Sequence, residues 1–397
     1  MNTALFVQLL HSELEDTGGT ADVKRHIIRF NTRRDYAACV KQIGRLKSQL
    51  TRLGSVQFLK IINAISCNLR SVSRVARTPY VHSVEVDIKM KVHGIKAKSG
   101  ERPQKSKSIG EQVTIPWGIR HIKAHRAWSK SKGSQIHVGV IDTGVDYSHP
   151  DLRHSLSRGI NLLQRHMLPN DDNGHGTHIA GTIAAASRQR GIVGVAPHAI
   201  IHPVKAFDYQ GSAFVSDIIN GIDWCVNNDL HIINMSFGMK TYSRSLEAAI
   251  RNAYQAGTIV VASSGNEGKK ATIDYPARFS QTISVGATTK GSKIAPFSNQ
   301  SRLIDIYAPG DKIYSTWLRG RYNELSGTSM ATSHVSGVIA LMLASRPTLR
   351  PTQVKLLLKK NAVPLTKSAK KSGEVREIHA LRAVQAAIKA VNINRKA

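Results

Sequence analysis

The length, composition and charge of the chain exclude several classes of protein. With 397 residues, of which 41% are hydrophobic, the chain is long enough for one large α/β core and a smaller unit, and too apolar for a disordered protein. Its 56 Lys and Arg against 26 Asp and Glu give a net charge of +30, which suits an anionic partner. No zinc-knuckle spacing or RNA-reading aromatic motif accompanies that charge, so specific nucleic-acid binding is not expected as the main role.

The cysteines and the N-terminus bear on the compartment of the protein. Cys39, Cys67 and Cys225 are scattered and odd in number, which indicates buried thiols rather than a disulfide framework or a metal-ligand pair. The apolar patch at 4–10 lacks a basic leader and is followed at once by acidic residues, so it is a poor signal peptide. No apolar run reaches the length of a transmembrane helix. These features favour a cytoplasmic compartment.

The first part of the chain predicts a small α+β unit and a linker. Residues 1–24 form a short polar-amphipathic leader in this interpretation, and a compact domain follows at 25–87. Its elements are predicted at 26–30 (strand), 35–50 (helix), 56–65 (an apolar stretch) and 81–87 (an alternating strand). Residues 88–112 are rich in Lys and Arg with interspersed Gly and Pro, which predicts an exposed basic linker.

Residues 113–397 alternate short β-rich runs with helical ones. Strands are predicted at 136–141, 200–204, 232–235, 258–262 and 282–285, and helices at 215–227 and 243–256. Nearly continuous apolar strands that alternate with helices predict a doubly wound, mostly parallel sheet with helices on both faces.

Two polar residues stand where such a sheet gathers its reacting groups. Asp142 directly follows the strand 136–141, at the carboxyl end of the sheet, although an Asp before Gly is often only a turn former. His175 opens a helix, where the dipole favours the neutral form that a general base needs. His178 lies three residues further on, but no Glu or third ligand accompanies the two histidines, so a zinc site is not expected.

Two further candidates lie in Gly-containing turns. Asn266 follows the strand 258–262 and could be a left-handed turn residue or could present its amide NH₂ to a developing negative charge. Ser329 lies in the first turn of an apolar helix, where it could be a simple cap or a nucleophile beside unpaired backbone N–H groups.

Taken together, Asp142, His175, Asn266 and Ser329 supply an orienting carboxylate, a base, an oxyanion donor and a nucleophile, in that chain order. The motifs around them resemble those of the subtilisin-like serine proteases, the subtilase family, over about residues 115–385. These motifs are Ile-Asp-Thr-Gly (141–144), His-Gly-Thr-His-Ile-Ala-Gly-Thr (175–182), Ser-Gly-Asn-Glu-Gly (264–268) and Gly-Thr-Ser-Met-Ala (327–331). The resemblance implies a serine endopeptidase in which hydroxyl, imidazole and carboxylate form a hydrogen-bonded line, with no cofactor in the chemistry. A catalytically silent relative is the alternative, but no catalytic residue is missing.

The resemblance also implies how a polypeptide substrate binds. An extended peptide would add as a strand between two backbone edges, Gly211-Ser212-Ala213 and Ser236-Phe237-Gly238. Asp274 would lie near the floor of the pocket for the residue before the scissile bond, where an acid attracts Lys or Arg. A surface salt bridge is the alternative role for Asp274.

The remaining expectations from the resemblance concern maturation, calcium and assembly. The 25–87 unit resembles the family's ferredoxin-like inhibitory propeptide, which makes the linker at 88–112 the place for self-cleavage of a zymogen. Asp151 resembles a residue near the family's calcium-binding region, but the loop at 186–191 carries two Arg and few oxygen ligands, which argues against calcium there. We expect a monomer without a membrane span, and secretion, as in many relatives, is the alternative to a cytoplasmic location.

Overall fold

The computed structural model describes residues 3–15, 24–93, 112–365 and 375–390. Its N-terminal part contains one small antiparallel sheet. Its elements are α1 (Thr3–Glu13), β1 (Lys24–Phe30), α2 (Arg33–Leu46), β2 (Gln57–Leu59), β3 (Ala64–Leu69), α3 (Ser73–Ala76), β4 (Val81–Val86) and β5 (Lys89–Val92), with 3₁₀ turns at Thr51–Ser55 and Lys60–Ile62. Strands β1 to β4 form the sheet in the order β2-β3-β1-β4.

The structure places regular elements inside both the predicted leader and the predicted linker. The segment 3–13 is a helix whose residues Phe6, Val7 and Leu10 are buried in the core of the small domain, because apolar residues at helical spacing give it one face to pack. Lys89–Val92 is a strand, because alternation of exposed Lys with buried Met90 outweighs the basic composition. Residues 94–111, the rest of the predicted linker, lie outside the described residues.

The larger part of the chain is built on a nine-stranded sheet. Its elements are β6 (Val113–Thr114), α4 (Trp117–His121), α5 (Ala124–Ala127), β7 (His137–Asp142), β8 (Ile160–Asn161), α6 (His175–Ala184), β9 (Gly191–Ile192), β10 (Ile200–Lys205), β11 (Ser212–Phe214), α7 (Val215–Asn227), β12 (Ile232–Met235), β13 (Phe237–Gly238), α8 (Arg244–Gln255), β14 (Ile259–Ser263), β15 (Thr282–Thr288), β16 (Ile306–Pro309), β17 (Ile313–Trp317), β18 (Arg321–Leu325), α9 (Thr328–Ser345), α10 (Pro351–Asn361), β19 (Val363–Pro364), β20 (Arg376–Glu377) and α11 (Ala380–Lys389).

The order of the strands in this sheet confirms the predicted doubly wound architecture. The order is β19-β20-β16-β15-β14-β12-β7-β10-β8, and all the pairs are parallel except β19 with β20. Helices α6, α9 and α11 pack into the hydrophobic core on one face, and α7 and α8 into the core on the other. The predicted strands match β7, β10, β12, β14 and β15, because continuous apolar runs fit strands that are buried on both faces.

Within the described ranges, no helix is both long and apolar enough to cross a lipid bilayer.

Candidate active site

A buried carboxylate at the end of strand β7 orients a histidine. Asp142 is the last residue of the strand and is fully buried. Its Oδ1 accepts hydrogen bonds from the Thr143 N–H at 2.8 Å and from Nδ1 of His175 at 2.7 Å. Because a carboxylate only accepts hydrogen bonds, Nδ1 carries the proton and the neutral ring keeps its lone pair on Nε2.

The start of helix α6 is fixed by an aspartate that the sequence analysis missed. Asp171 accepts from the N–H of Gly174 at 2.9 Å and of Thr177 at 2.9 Å, so it caps the turn that carries His175. It also accepts from the hydroxyl of Thr143, next to Asp142, at 2.8 Å. An acidic residue four positions before a helix-starting histidine is the signal that could have identified this cap.

The second histidine of the helix has a structural role. His178 is fully buried, and its Nε2 donates to the carbonyl oxygen of Ile313 at 2.9 Å. Burial is the main cause that lowers the pKa of His178 to about 3, so the ring is neutral and holds α6 against β17. Among the described residues, no three His, Cys, Asp or Glu side chains are grouped to hold a metal ion.

The hydroxyl of Ser329 is turned towards an extended segment of the chain. Ser329 lies in the first turn of helix α9, and its hydroxyl donates to the carbonyl oxygen of His93 at 2.7 Å, with that of Ser236 also within hydrogen-bond distance at 2.9 Å. In the described part of the chain no hydrogen bond joins it to His175, whose Nε2 is buried without a partner. The hydrogen-bonded line expected from the sequence is therefore formed between carboxylate and imidazole only, because the Ser329 hydroxyl donates to the His93 carbonyl oxygen.

The side chain of Asn266 is oriented by the same helix. Its Oδ1 accepts from the N–H and from the hydroxyl of Thr328, both at 2.9 Å, while its Nδ2 is buried without a partner in the described residues. A methyl group on Gly327 would lie 2.9 Å from the carbonyl oxygen of His93 and 3.2 Å from this Nδ2, so the two atoms border the same small space. Gly265, and not Asn266, takes the left-handed conformation of the turn.

Strand β5 occupies the groove between the two predicted substrate-binding edges. It pairs antiparallel with β11 on one side, where Ser212 faces Lys91 and Ala213 faces Met90, and with β13 on the other. The hydrogen bonds continue past the end of the strand. The Val92 N–H donates to Gly211 at 3.1 Å, and the His93 N–H donates to Ser236 at 3.0 Å.

The residue that follows this strand places its ring in a polar pocket. Nε2 of His93 lies 2.7 Å from Oδ2 of Asp274, and Nδ1 lies 2.7 Å from Oγ of Ser263. The other oxygen of Asp274 forms an ion pair with Lys240. Burial alone would raise the pKa of Asp274, but the hydrogen bond and charge of His93, together with Lys240, hold it below its ordinary value.

The surroundings of Asp151 do not fit calcium. Its Oδ2 accepts from the N–H of Ile192 at 2.9 Å and from the hydroxyl of Tyr322 at 2.6 Å, so this carboxylate serves the protein's own hydrogen bonds. Arg188 and Arg190 border the same cavity. Because Ca²⁺ takes six to eight oxygen ligands, a hydrogen-bonded carboxylate beside two arginines is a poor site for it.

A doubly wound sheet with a histidine–aspartate pair at its edge and a serine at the start of a neighbouring helix is typical of serine hydrolases. Residues 133–381 match the subtilase family. The chain therefore belongs to that family and is a serine endopeptidase.

Several bacterial proteases share this similarity. The chain is 42% identical over 260 residues to subtilisin E of Bacillus subtilis, covering 64% of this chain and 68% of that one. It is 40% identical over 256 residues to subtilisin DY of Bacillus licheniformis, covering 64% and 93%. It is also 40% identical over 263 residues to a thermostable alkaline protease of Halalkalibacterium halodurans, covering 66% and 72%.

Proposed function

We propose that Ser329 is the nucleophile of this endopeptidase, His175 its general base and acid, Asp142 the group that orients the imidazole, and Asn266 an oxyanion donor. One observation carries the proposal. The carbonyl oxygen at the end of an extended, strand-paired segment accepts the hydrogen bond of the Ser329 hydroxyl at 2.7 Å. A polypeptide substrate in that groove would present its scissile carbonyl in the same place.

The mechanism follows from which atoms are free. Nε2 of His175 has no partner in the described residues, so it can take the proton of Ser329 when the hydroxyl turns from the His93 carbonyl to attack. The imidazolium that forms is stabilised by Asp142, which already accepts from Nδ1. His175 then gives the proton to the leaving amine, and water hydrolyses the acyl-enzyme by the same steps in reverse. No cofactor takes part in this chemistry.

The oxyanion donors are Nδ2 of Asn266 and the backbone N–H of Ser329. Nδ2 is fixed because Oδ1 of the same amide is held by Thr328, so its donor is in place before charge develops. In a related subtilisin, loss of such a donor costs about 3–4 kcal/mol of transition-state stabilisation, and we expect a similar value here.

The small N-terminal domain is, in this proposal, an inhibitor that the zymogen carries within its own chain. Its element order β-α-β-β-α-β and its strand order β2-β3-β1-β4 support the ferredoxin-like interpretation. Two of its carboxylates meet helix starts of the large domain. Asp87 accepts from the Ser216 N–H of α7 at 3.0 Å, and Glu85 accepts from the hydroxyl of Ser243, the N-cap of α8, at 2.6 Å.

The inhibition proposed here is steric. Strand β5 fills the groove between β11 and β13, and the His93 carbonyl oxygen accepts the hydrogen bond of the Ser329 hydroxyl. A substrate can therefore enter only after this segment leaves. Self-cleavage in the segment that follows the domain would make that departure possible.

Other parts of the proposal stay predictions. We expect a monomer, and we expect Asp274 to act in the pocket for the residue before the scissile bond. The cytoplasmic location inferred from the N-terminus gains no support from the fold or from the relatives, and secretion is its alternative. Calcium at Asp151 is not part of the proposal.

Labelling and N-terminal sequencing test the proposal. A serine-directed phosphonate should modify the active chain at Ser329 and leave Ser329→Ala unmodified. The purified active chain should start within 88–112, whereas Ser329→Ala should keep its original start. Labelling elsewhere, or equal processing of the two chains, would contradict the catalytic assignment.

A further inference from the structure

The side chain of His93 is held at both of its ring nitrogens. Nδ1 lies 2.7 Å from Oγ of Ser263 and Nε2 lies 2.7 Å from Oδ2 of Asp274, and the side chain is only 8% exposed. A carboxylate accepts only, so Nε2 carries a proton, whereas the hydroxyl of Ser263 can donate to Nδ1 or accept from it. The two groups therefore bind an imidazole at two fixed points in either protonation state.

The shape of the pocket also suits a flat ring. A methyl group on Gly238 would lie 2.5 Å from Cε1 and 2.7 Å from Nε2 of His93, which is too close for a side-chain carbon to fit. The imidazole thus lies directly on the backbone of β13, the strand that also pairs with β5. A planar ring is accommodated because residue 238 has no side chain.

The acidic charge of the pocket is partly offset by a lysine. Lys240 pairs with Asp274 and, at 2.8 Å, with Glu267. Since Lys240 already engages Oδ1 of Asp274, the bound side chain has to supply only a hydrogen-bond donor to Oδ2. The pocket therefore differs from an unpaired acid that attracts Lys or Arg.

We propose that this endopeptidase selects histidine as the residue before the scissile bond, and that the bond following His93 is its own first substrate. The inference rests on the proposed function of Ser329 and His175. The His93 N–H donates to Ser236 at 3.0 Å and its carbonyl oxygen accepts from Ser329 at 2.7 Å, so its carbonyl group lies at the nucleophile.

Cleavage of this bond needs no reactant other than water. Oγ of Ser329 bonds to the carbonyl carbon of His93, the peptide C–N bond breaks, and His175 transfers the serine proton to the leaving amine. Water then hydrolyses the ester, which leaves a carboxylate on His93 and a new amino terminus on the other product.

Other side chains at this position would leave the pocket poorly satisfied. Phenylalanine would take away the hydrogen bonds that the imidazole makes to Oδ2 of Asp274 and to the hydroxyl of Ser263, and such sites reject analogues that lack the hydrogen-bonding group. Lysine or arginine would bring a second cation next to Lys240. We expect kcat/KM for histidine to exceed that for phenylalanine or alanine by at least about 100-fold, and that for lysine or arginine by about 10-fold.

The test uses peptides with the sequence of residues 88–97 in which only the position of His93 is varied to Phe, Ala, Lys, Arg or Gln. Enzyme matured from the full chain is assayed for kcat/KM, and its N-terminus is sequenced. The expected results are the preference given above and a mature chain that begins at Gly94. A mature start elsewhere, or a peptide with Phe or Lys cleaved as fast as the one with His, would overturn the proposal.

Variants of two adjacent serines separate recognition from general damage. Ser263→Ala should reduce the His-to-Phe ratio by about 10-fold, because it removes one of the two hydrogen bonds. Ser264→Ala is the matched control, since the hydroxyl of Ser264 is buried without a hydrogen-bond partner in the described residues, and it should leave the ratio unchanged. An unchanged ratio in Ser263→Ala would overturn the two-point recognition.

The result also separates this inference from the function on which it rests. Hydrolysis of none of the peptides, with no labelling of Ser329, would overturn both. Efficient hydrolysis after residues other than histidine would overturn the histidine preference alone and leave the catalytic assignment in place.

Discussion

The molecule contains two buried histidine–carboxylate pairs that differ in how their imidazole nitrogens are engaged. His175 is held by Asp142 at one nitrogen, at 2.7 Å, and its Nε2 has no partner in the described residues. His93 is held by Asp274 at the same distance, but Ser263 engages its other nitrogen as well. A ring that moves protons needs a free nitrogen, whereas a ring that is recognised as a ligand has none.

Removal of each imidazole is the strongest way to separate the two pairs. His175→Ala is expected to lower kcat by about 10⁶, a magnitude known for the base of a subtilisin relative. His93→Ala should change the site and rate of self-cleavage and leave the kcat of the matured enzyme unchanged. Steady-state kinetics on the peptides of residues 88–97 measures the difference. A His175→Ala enzyme with more than a few per cent of the activity would contradict the assignment.

Neutralising each carboxylate gives the next largest contrast. Asp142→Asn should lower kcat by about 10⁴, because an amide at this position favours the wrong tautomer of His175. Asp274→Asn keeps a group of the same shape in the pocket and should act mainly on KM for histidine peptides, by about 10-fold. Equal losses of kcat in the two variants would show that the pairs do not differ in role.

A third contrast concerns the amide of Asn266. Asn266→Ala should lower kcat by about 10²–10³ at nearly constant KM, a range known for a subtilisin relative. The same substitution removes a cap from helix α9 and should cost about 1 kcal/mol of folding free energy. Asn266→Asp keeps the acceptor for Thr328 and removes the donor, so it should lose kcat while keeping the cap. A large rise in KM with little change in kcat would argue against an oxyanion role.

The pH dependence of folding is the smallest expected effect, and it concerns histidines that lack a carboxylate. Burial is the main cause that lowers the pKa of His178 to about 3 and that of His334 to about 4, from 6.5. Below pH 6.5 these two histidines become protonated in the unfolded chain but stay neutral in the folded chain. Their contribution to the free energy of unfolding is therefore fully present above pH 6.5 and is lost as the pH falls.

The expected slope is about 1.4 kcal/mol per pH unit for each such histidine between pH 4 and 6. Urea unfolding of Ser329→Ala, which avoids self-digestion, measures it. His178→Asn should reduce the slope of the unfolding free energy by about 1.4 kcal/mol per pH unit, the contribution of one histidine. A slope that is the same with and without His178 would show that this ring is not held neutral.

The sequence was sufficient to predict the strands and helices of the main sheet. The strand predicted at 136–141 is observed at His137–Asp142, and the helix predicted at 215–227 has those bounds, because periodicity and apolar runs are local signals. The candidate residues of the site follow strands or start helices, which a linear pattern also shows.

Long-range contacts could not be predicted in this way. The hydrogen bond between His93 and Asp274 joins residues 181 positions apart, and nothing in the basic stretch around His93 distinguishes it from its neighbours. For the same reason the sequence did not predict the hydrogen bond from the Ser329 hydroxyl to the His93 carbonyl oxygen. The strand Lys89–Val92 lies within the predicted linker, because its stability comes from partners that lie more than a hundred residues further along the chain.

The anchoring of strand β5 at its start implies that cutting and activation are separate events. Asp87, two residues before the strand, is tied to Arg25 at 2.9 Å and to the start of α7. A cut after His93 removes none of these contacts, so the severed segment would stay in place as a tightly held product. Latency would then last until the N-terminal domain is itself degraded or released, and the lag before activity appears would report that second event.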